Sequence, residues 1–98
     1  MCGIVGYYGK NDAINYAIKG LYSLEYRGYD SSGIAFIKDN DLKIYKRVGR
    51  IKELDKVCPK DISDIAIAHT RWATHGGVSE TNAHPHLDTS ASYAIVHN

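Results

Sequence analysis

The 98 residues include only two prolines, two cysteines and one each of phenylalanine, tryptophan and methionine. Two cysteines are too few for a disulfide-stapled scaffold, and a chain with no secretory leader stays where thiols are reduced. Cys2 and Cys58 are therefore expected as free thiols, with a single bridge as the other reading. Charge of one sign is also lacking: twelve Lys and Arg face eleven Asp and Glu, for a net +1. This balance gives no electrostatic reason to expect nucleic acid or an anionic membrane as partner. No apolar run approaches the ~20 residues of a membrane span. The N-terminus lacks the basic start and apolar stretch of a secretory signal. A cytoplasmic location is the expectation. What remains is an ordinary globular composition, 44% hydrophobic and 23% charged, with room for one modest domain.

Periodicity gives the coarse order. Residues 2 to 8, CGIVGYY, read as a strand beginning at once. Asn11 or Asp12 can cap the helix that follows, in which Ile14, Ala17, Ile18, Leu21 and Leu24 form one apolar face. Arg27-Gly28 is its natural stop. Residues 33 to 38 and 42 to 48 read as a hairpin about Asp39-Asn40-Asp41. A short helix from Ile51 to Val57 closes at Pro59, and DIAIAHT at residues 64 to 70 is a further strand. Residues 71 to 92 are polar, carry Gly76, Gly77 and Pro85, and read as loop; SYAIVH at 92 to 97 reads as a last strand. The class is α+β. Domains rarely stop in a run as apolar as AIVHN, so a fragment is expected.

Three features carry chemistry. Cys at position 2 is small enough for Met1 to be removed, which places a free α-amine on the residue that bears the thiol. Reference pKa values near ~7.7–8.0 for the amine and ~8.5 for the thiol let one residue serve as base and nucleophile. Gly3 next to it permits close approach. A Met-Cys start also arises without meaning, so the dipeptide alone decides nothing. The second feature is HTRWATHGG, residues 69 to 77, where an apolar strand turns into a polar loop. Arg71 presents a planar fork suited to a carboxylate, Thr74 can add a hydrogen bond, and Trp72 can exclude water. A surface loop anchored by an amphipathic Trp is the plainer reading. The third is His84-Pro85-His86, an H-x-H pair near His75. Its spacing to Cys2 and Cys58 does not match a zinc site, so no metal is expected. The glycines at 3, 6 and 9 make no phosphate loop.

CGIVGYYG (2–9), LEYRGYDSSGIA (24–35), HTRWATHGGVSETNAHPH (69–86) and VHN (96–98) follow one another in an order known from one family. Over its whole length the chain resembles the N-terminal glutaminase domain of the isomerising glutamine–fructose-6-phosphate aminotransferases. The CGI start fits any class II glutamine amidotransferase; EYRGYDSSG with RWATHG looks like the sugar enzymes. The resemblance implies an N-terminal nucleophile hydrolase fold, an αββα sandwich, of which residues 1–98 are the first part only, with the sugar isomerase domains absent. It implies that Cys2 hydrolyses L-glutamine to glutamate and ammonia through a γ-glutamyl thioester. The ammonia then converts D-fructose 6-phosphate to D-glucosamine 6-phosphate in the absent C-terminal portion. Arg71 would hold the α-carboxylate, with Trp72, Thr74 and His75 on the loop closing over it. Asn98 would donate its amide to the oxyanion, and Arg27 would support the nucleophile. The family uses no cofactor in this domain, and the full-length protein is expected to be a homodimer. Alternatives are another class II amidotransferase, such as an amidophosphoribosyltransferase, or an inactive truncated fragment. The family's second oxyanion donor and its α-amino-binding aspartate lie past Asn98, so the 98-residue chain alone is expected to show little glutaminase activity.

Overall fold

A computed structural model describes residues 2–74 and 76–98. Its centre is an antiparallel sheet of four strands: β1 (Gly3–Tyr8), β2 (Ser31–Lys38), β3 (Asp41–Val48) and β4 (Ile65–Arg71), in the spatial order β1-β4-β2-β3. The β2–β3 hairpin has a two-residue tip, since Lys38 pairs with Asp41. Asp39 and Asn40 both take positive φ, 52° and 64°. Two left-handed residues in a row make the turn whose twist suits a hairpin, and Asp and Asn tolerate it well.

Helices α1 (Ala13–Ser23) and α2 (Ile51–Val57) cover one face of this sheet. Ile14, Ala17, Ile18 and Leu21 of α1 pack with Ile34, Phe36, Ala66 and Ala68, which the two-residue strand period puts on that face. Gly20 lets helix and sheet approach: a Cβ there would stand 2.8 Å from Val5 Cγ1. Ile51 and Leu54 of α2 fill the rest of the core. The opposite face carries Gly33, Ala35, His69 and Arg71 and is crossed by the segment after β4. That segment forms a two-stranded ribbon, β5 (His86–Leu87) with β6 (Ala94–Ile95).

Several boundaries differ from the sequence reading. The first helix does not reach Arg27 in one piece. It ends at Ser23, and Glu25–Arg27 is a separate 3-10 turn closed by Gly28 at φ 82°. Neither Asn11 nor Asp12 caps α1 with its side chain. The Ala13 N–H instead donates to the Ser63 carbonyl at 3.0 Å, and the Asn11 N–H to Asp64 Oδ1 at 3.1 Å. A distant segment has taken over the cap. β2 begins two residues early, at buried Ser31 and Ser32, and β4 runs on through Arg71. The expected strand at 92 to 97 shrinks to Ala94–Ile95, because only these two residues find a ladder partner. With helices on one side of a sheet, the architecture is a partial αββα sandwich.

Candidate functional site

The site gathers where β1 starts and β4 ends. Gly3 pairs with Thr70, so the antiparallel register sets Cys2 against the end of β4. Cys2 Sγ accepts the Trp72 N–H at 3.4 Å and lies 3.8 Å from the Trp72 carbonyl. Gly3 is needed for packing within the chain itself, since a Cβ there would stand 2.7 Å from Leu24 Cδ1 and 3.0 Å from Thr70 Oγ1. The other thiol is a contrast. Cys58 is buried in the core, and burial pushes its pKa up to about 11, which leaves it an inert apolar residue.

The turn after β4 is held by Asp30. Its own N–H donates to the Arg71 carbonyl at 2.8 Å, and its Oδ2 accepts the Ala73 N–H at 2.6 Å. Ser31 Oγ donates to the other oxygen, Oδ1, at 3.1 Å, and the Gly49 N–H donates to the Asp30 carbonyl at 3.0 Å. With its backbone N–H on Arg71 and its carboxylate on Ala73, Asp30 grips both sides of Trp72 and holds that peptide in place under the sulfur. The sequence reading gave Asp30 no role, although it lies inside EYRGYDSSG. Its partners in the turn after β4 are some forty residues away in sequence (43 for Ala73), where no local pattern reaches.

Arg71 is only 8% exposed. Its Nη1 donates to the Gly77 carbonyl at 3.0 Å, and Asn82 Nδ2 donates to the same oxygen at 3.0 Å. The bend that brings Gly77 round passes through Gly76 at φ 76°, a left-handed conformation glycine takes without strain. Cys2, Arg71, Trp72, Thr74 and Asn98 all line one cavity of about 450 Å³. Asn82, His84, His86 and His97 complete its wall. Arg27 lines an adjoining cavity of about 380 Å³ with Cys2, Trp72, Thr74 and Asn98. His75 lies outside the described residues.

Behind the cavity three imidazoles stack. The rings of His69 and His84 lie 4.3 Å apart at 29°, and those of His84 and His86 lie 4.3 Å apart edge to face. Among the described residues no group of three His, Cys, Asp or Glu side chains is arranged to hold a metal ion. Burial and the nearby cations lower all three imidazole pKa values, with neighbouring histidines adding to the effect at His69 and His84 and Lys46 adding to it at His86; that of His84 falls to about 4. Lys46 is likewise lowered by burial while its Nζ donates to the Ala83 carbonyl at 2.9 Å. Neutral rings around a buried guanidinium leave a cavity whose fixed charge suits an anionic group such as a carboxylate.

These depressed values give a pH dependence of definite sign. An unfolded histidine titrates near ~6.5, so below that pH the unfolded chain binds more protons than the folded one. The stabilisation is complete above ~6.5 and is lost as pH falls toward the His84 value of about 4. Discounted for partial exposure, His84 should contribute about 1–2 kcal/mol of lost stability between pH 7 and pH 5. Urea unfolding at the two pH values checks this, and a His84→Gln chain should show a flatter profile.

No protein-family model matches the chain. Curated relatives do. It is 56% identical, along its full length, to glutamine--fructose-6-phosphate aminotransferase [isomerizing] of Bacteroides thetaiotaomicron, of which it spans 16%. It is 52% identical to the protein of that name from Staphylococcus epidermidis and 50% identical to that from Bacillus thuringiensis, again along its full length, spanning 17% and 16% of them. Among solved structures it is similar to the glutamine phosphoribosylpyrophosphate amidotransferase of B. subtilis. The TM-score is 0.74 at 29% identity, over 90% of this chain and 19% of that one. The chain thus spans about one sixth of the length of the curated relatives it matches. At this identity over every residue, and with the amidotransferase fold beneath it, the chain belongs to the glutamine–fructose-6-phosphate aminotransferase (isomerising) family, as the N-terminal 16% of those proteins.

Proposed function

We propose that the chain is the first part of a class II glutaminase domain, residues 1–98, which releases ammonia from L-glutamine for transfer to fructose 6-phosphate. The observation that carries this reading is the meeting of Cys2 and the Arg71 guanidinium on one cavity of about 450 Å³, large enough for an amino acid. Removal of Met1 would leave the Cys2 α-amine free to take the thiol proton. The sulfur then attacks the side-chain carbonyl carbon of glutamine, forming a C–S bond as the C=O electrons move to oxygen. The Asn98 amide donates to that oxyanion. Collapse breaks the C–N bond, the proton held by the amine goes to the departing nitrogen, and ammonia leaves a γ-glutamyl thioester. Water repeats the attack, regenerates the thiol and releases glutamate.

Substrate placement falls to the other residues. The Arg71 fork pairs with the α-carboxylate across the cavity that Arg71 and Cys2 both line. Trp72, Thr74 and His75 belong to the loop that closes over the substrate, and Arg27 supports the nucleophile from the adjoining cavity. The relatives' names carry fructose 6-phosphate. Its conversion to glucosamine 6-phosphate is assigned to the part of their length this chain does not span, together with homodimer formation in the cytoplasm. No helix among the described residues is long and apolar enough to cross a membrane.

A glutamine analogue with an electrophilic carbon in place of the amide tests the reading. Mass spectrometry should find one equivalent bound at Cys2 and none at Cys58, with free glutamine slowing the reaction. Labelling that glutamine does not slow, or that falls equally on Cys58, would refute it.

A further inference from the structure

We propose that His69 is a positioning residue that holds Asn98 at the cavity through the His97 carbonyl; this rests on the reading of Asn98 as the oxyanion donor. His69 sits mid-sheet on β4, opposite Ile4 of β1 and Gly33 of β2, and is fully buried. Gly33 is what encloses it. A Cβ at Gly33 would lie 2.1 Å from the His84 carbonyl oxygen, so the bare glycine lets the 84–86 segment settle on the sheet with the His84 ring against His69.

So enclosed, the His69 ring has one polar contact to a backbone group. Nε2 lies 2.9 Å from the His97 carbonyl oxygen. A carbonyl only accepts, so Nε2 carries the proton and Nδ1 is bare. Nδ1 is buried without a partner, the less costly arrangement for a ring nitrogen that has no proton to place. Every charged or titratable group facing the ring (Arg71, His84, His86 and His97) is basic, so no anion draws a second proton onto it.

The consequence falls on the next residue. The His97 carbonyl belongs to the peptide unit that joins His97 to Asn98, so anchoring the oxygen sets the direction in which Asn98 leaves the segment. The Asn98 side chain lines both cavities that Cys2 lines. β6 ends at Ile95, so no ladder of a named strand holds residues 97 and 98. His69 supplies the anchor that strand pairing does not.

Two variants separate positioning from packing. His69→Leu keeps an apolar filler and removes the donor; His69→Gln places an amide N–H near the position of Nε2. Two reagents at Cys2 report different things. The aldehyde analogue of glutamine forms a tetrahedral hemithioacetal whose oxygen needs the Asn98 donor, whereas iodoacetamide alkylates the sulfur without it. His69→Leu should weaken the aldehyde adduct by about 10–100-fold, part of what a lost oxyanion donor costs. Alkylation should stay within about twofold, and His69→Gln should recover most of the loss. Equal weakening toward both reagents, or no weakening, overturns the proposal. Nitrogen-15 spectra of the same chains give a readout that needs no reaction. The His69 ring should be the Nε2–H tautomer at neutral pH, and His69→Leu should shift the resonances of the Asn98 amides. An Nδ1–H tautomer, or unchanged Asn98 amides, overturns it. Should the parent chain form no glutamine-competed adduct, the glutaminase reading falls, and these spectra still decide whether His69 anchors Asn98.

Discussion

Arg71→Gln is expected to raise the glutamine concentration that half-protects Cys2 from labelling by about 10²–10³-fold. The guanidinium is 8% exposed and sits on the cavity that Cys2 lines, so a carboxylate paired with it would be largely out of water. Removing one partner from such a buried pair costs roughly 2–5 kcal/mol, and the middle of that span corresponds to about 10²–10³-fold. Arg71 also donates to the Gly77 carbonyl, so the variant disturbs the loop as well. Asn82 still donates to that oxygen, which limits the damage. A competitor that keeps the amide and lacks the α-carboxylate separates the two effects. The parent chain should prefer glutamine over it by about 10²–10³-fold, and Arg71→Gln should bind both alike. Retained preference in the variant would show that the carboxylate is held elsewhere. Arg71→Lys should recover only part of the preference, because an ammonium supplies charge without the fork.

The largest effect on stability should come from Gly33→Ala. The added carbon meets backbone, the His84 carbonyl oxygen at 2.1 Å and its carbon at 3.0 Å, and backbone cannot swing aside as a side-chain tip can. Either the 84–86 segment lifts from the sheet or β2 shifts. Overpacking of this kind costs typically ~1–3 kcal/mol, and a clash this close belongs at the upper end or above. In a domain of this size ~3 kcal/mol lowers Tm by roughly 12–24 °C. If the segment lifts, His84 leaves its buried stack and its pKa should climb from about 4 toward the ordinary ~6.5, a change NMR titration reads directly. Gly6→Ala is the control. Nothing lies within 4 Å of its added Cβ, so that change should be neutral or slightly stabilising through the unfolded chain. Equal effects at the two glycines would mean that the contact over Gly33 yields easily.

The features legible in the sequence are those set by near neighbours. Asp39 and Asn40 announce the hairpin because both residue types accept positive φ, and the hairpin forms at that point. The apolar face of α1 follows from spacing: Ile14, Ala17, Ile18 and Leu21 are buried as expected, while Leu24, the fifth residue of the expected face, falls past the helix end and is only half-buried. The features missed depend on partners far along the chain. Asp30 looks like one more polar residue until β4 brings Ala73 to its carboxylate. Ser31 and Ser32 lie outside the expected strand because nothing local shows that β3 and β4 flank them. His69 was legible as part of a loop-edge motif, but its burial depends on a glycine in another strand. The run AIVH was misread for the opposite reason: its composition suits a strand, and strand length is decided by pairing, which only Ala94 and Ile95 obtain.

Cys2 and the peptide that holds its sulfur are seventy residues apart in sequence. Among the described residues β1 joins the sheet through β4 alone, so the first strand made on the ribosome must wait for the last strand of the sheet before it has a hydrogen-bonded partner. Such long-range closure is slow compared with the local β2–β3 hairpin and the α1 helix. Until then the thiol lacks the backbone contacts at Trp72 that surround it in the finished site, and the chain end would be open to enzymes that trim initiator methionine. It acquires those surroundings only after β4 has emerged, so that any removal of Met1 would precede assembly of the site.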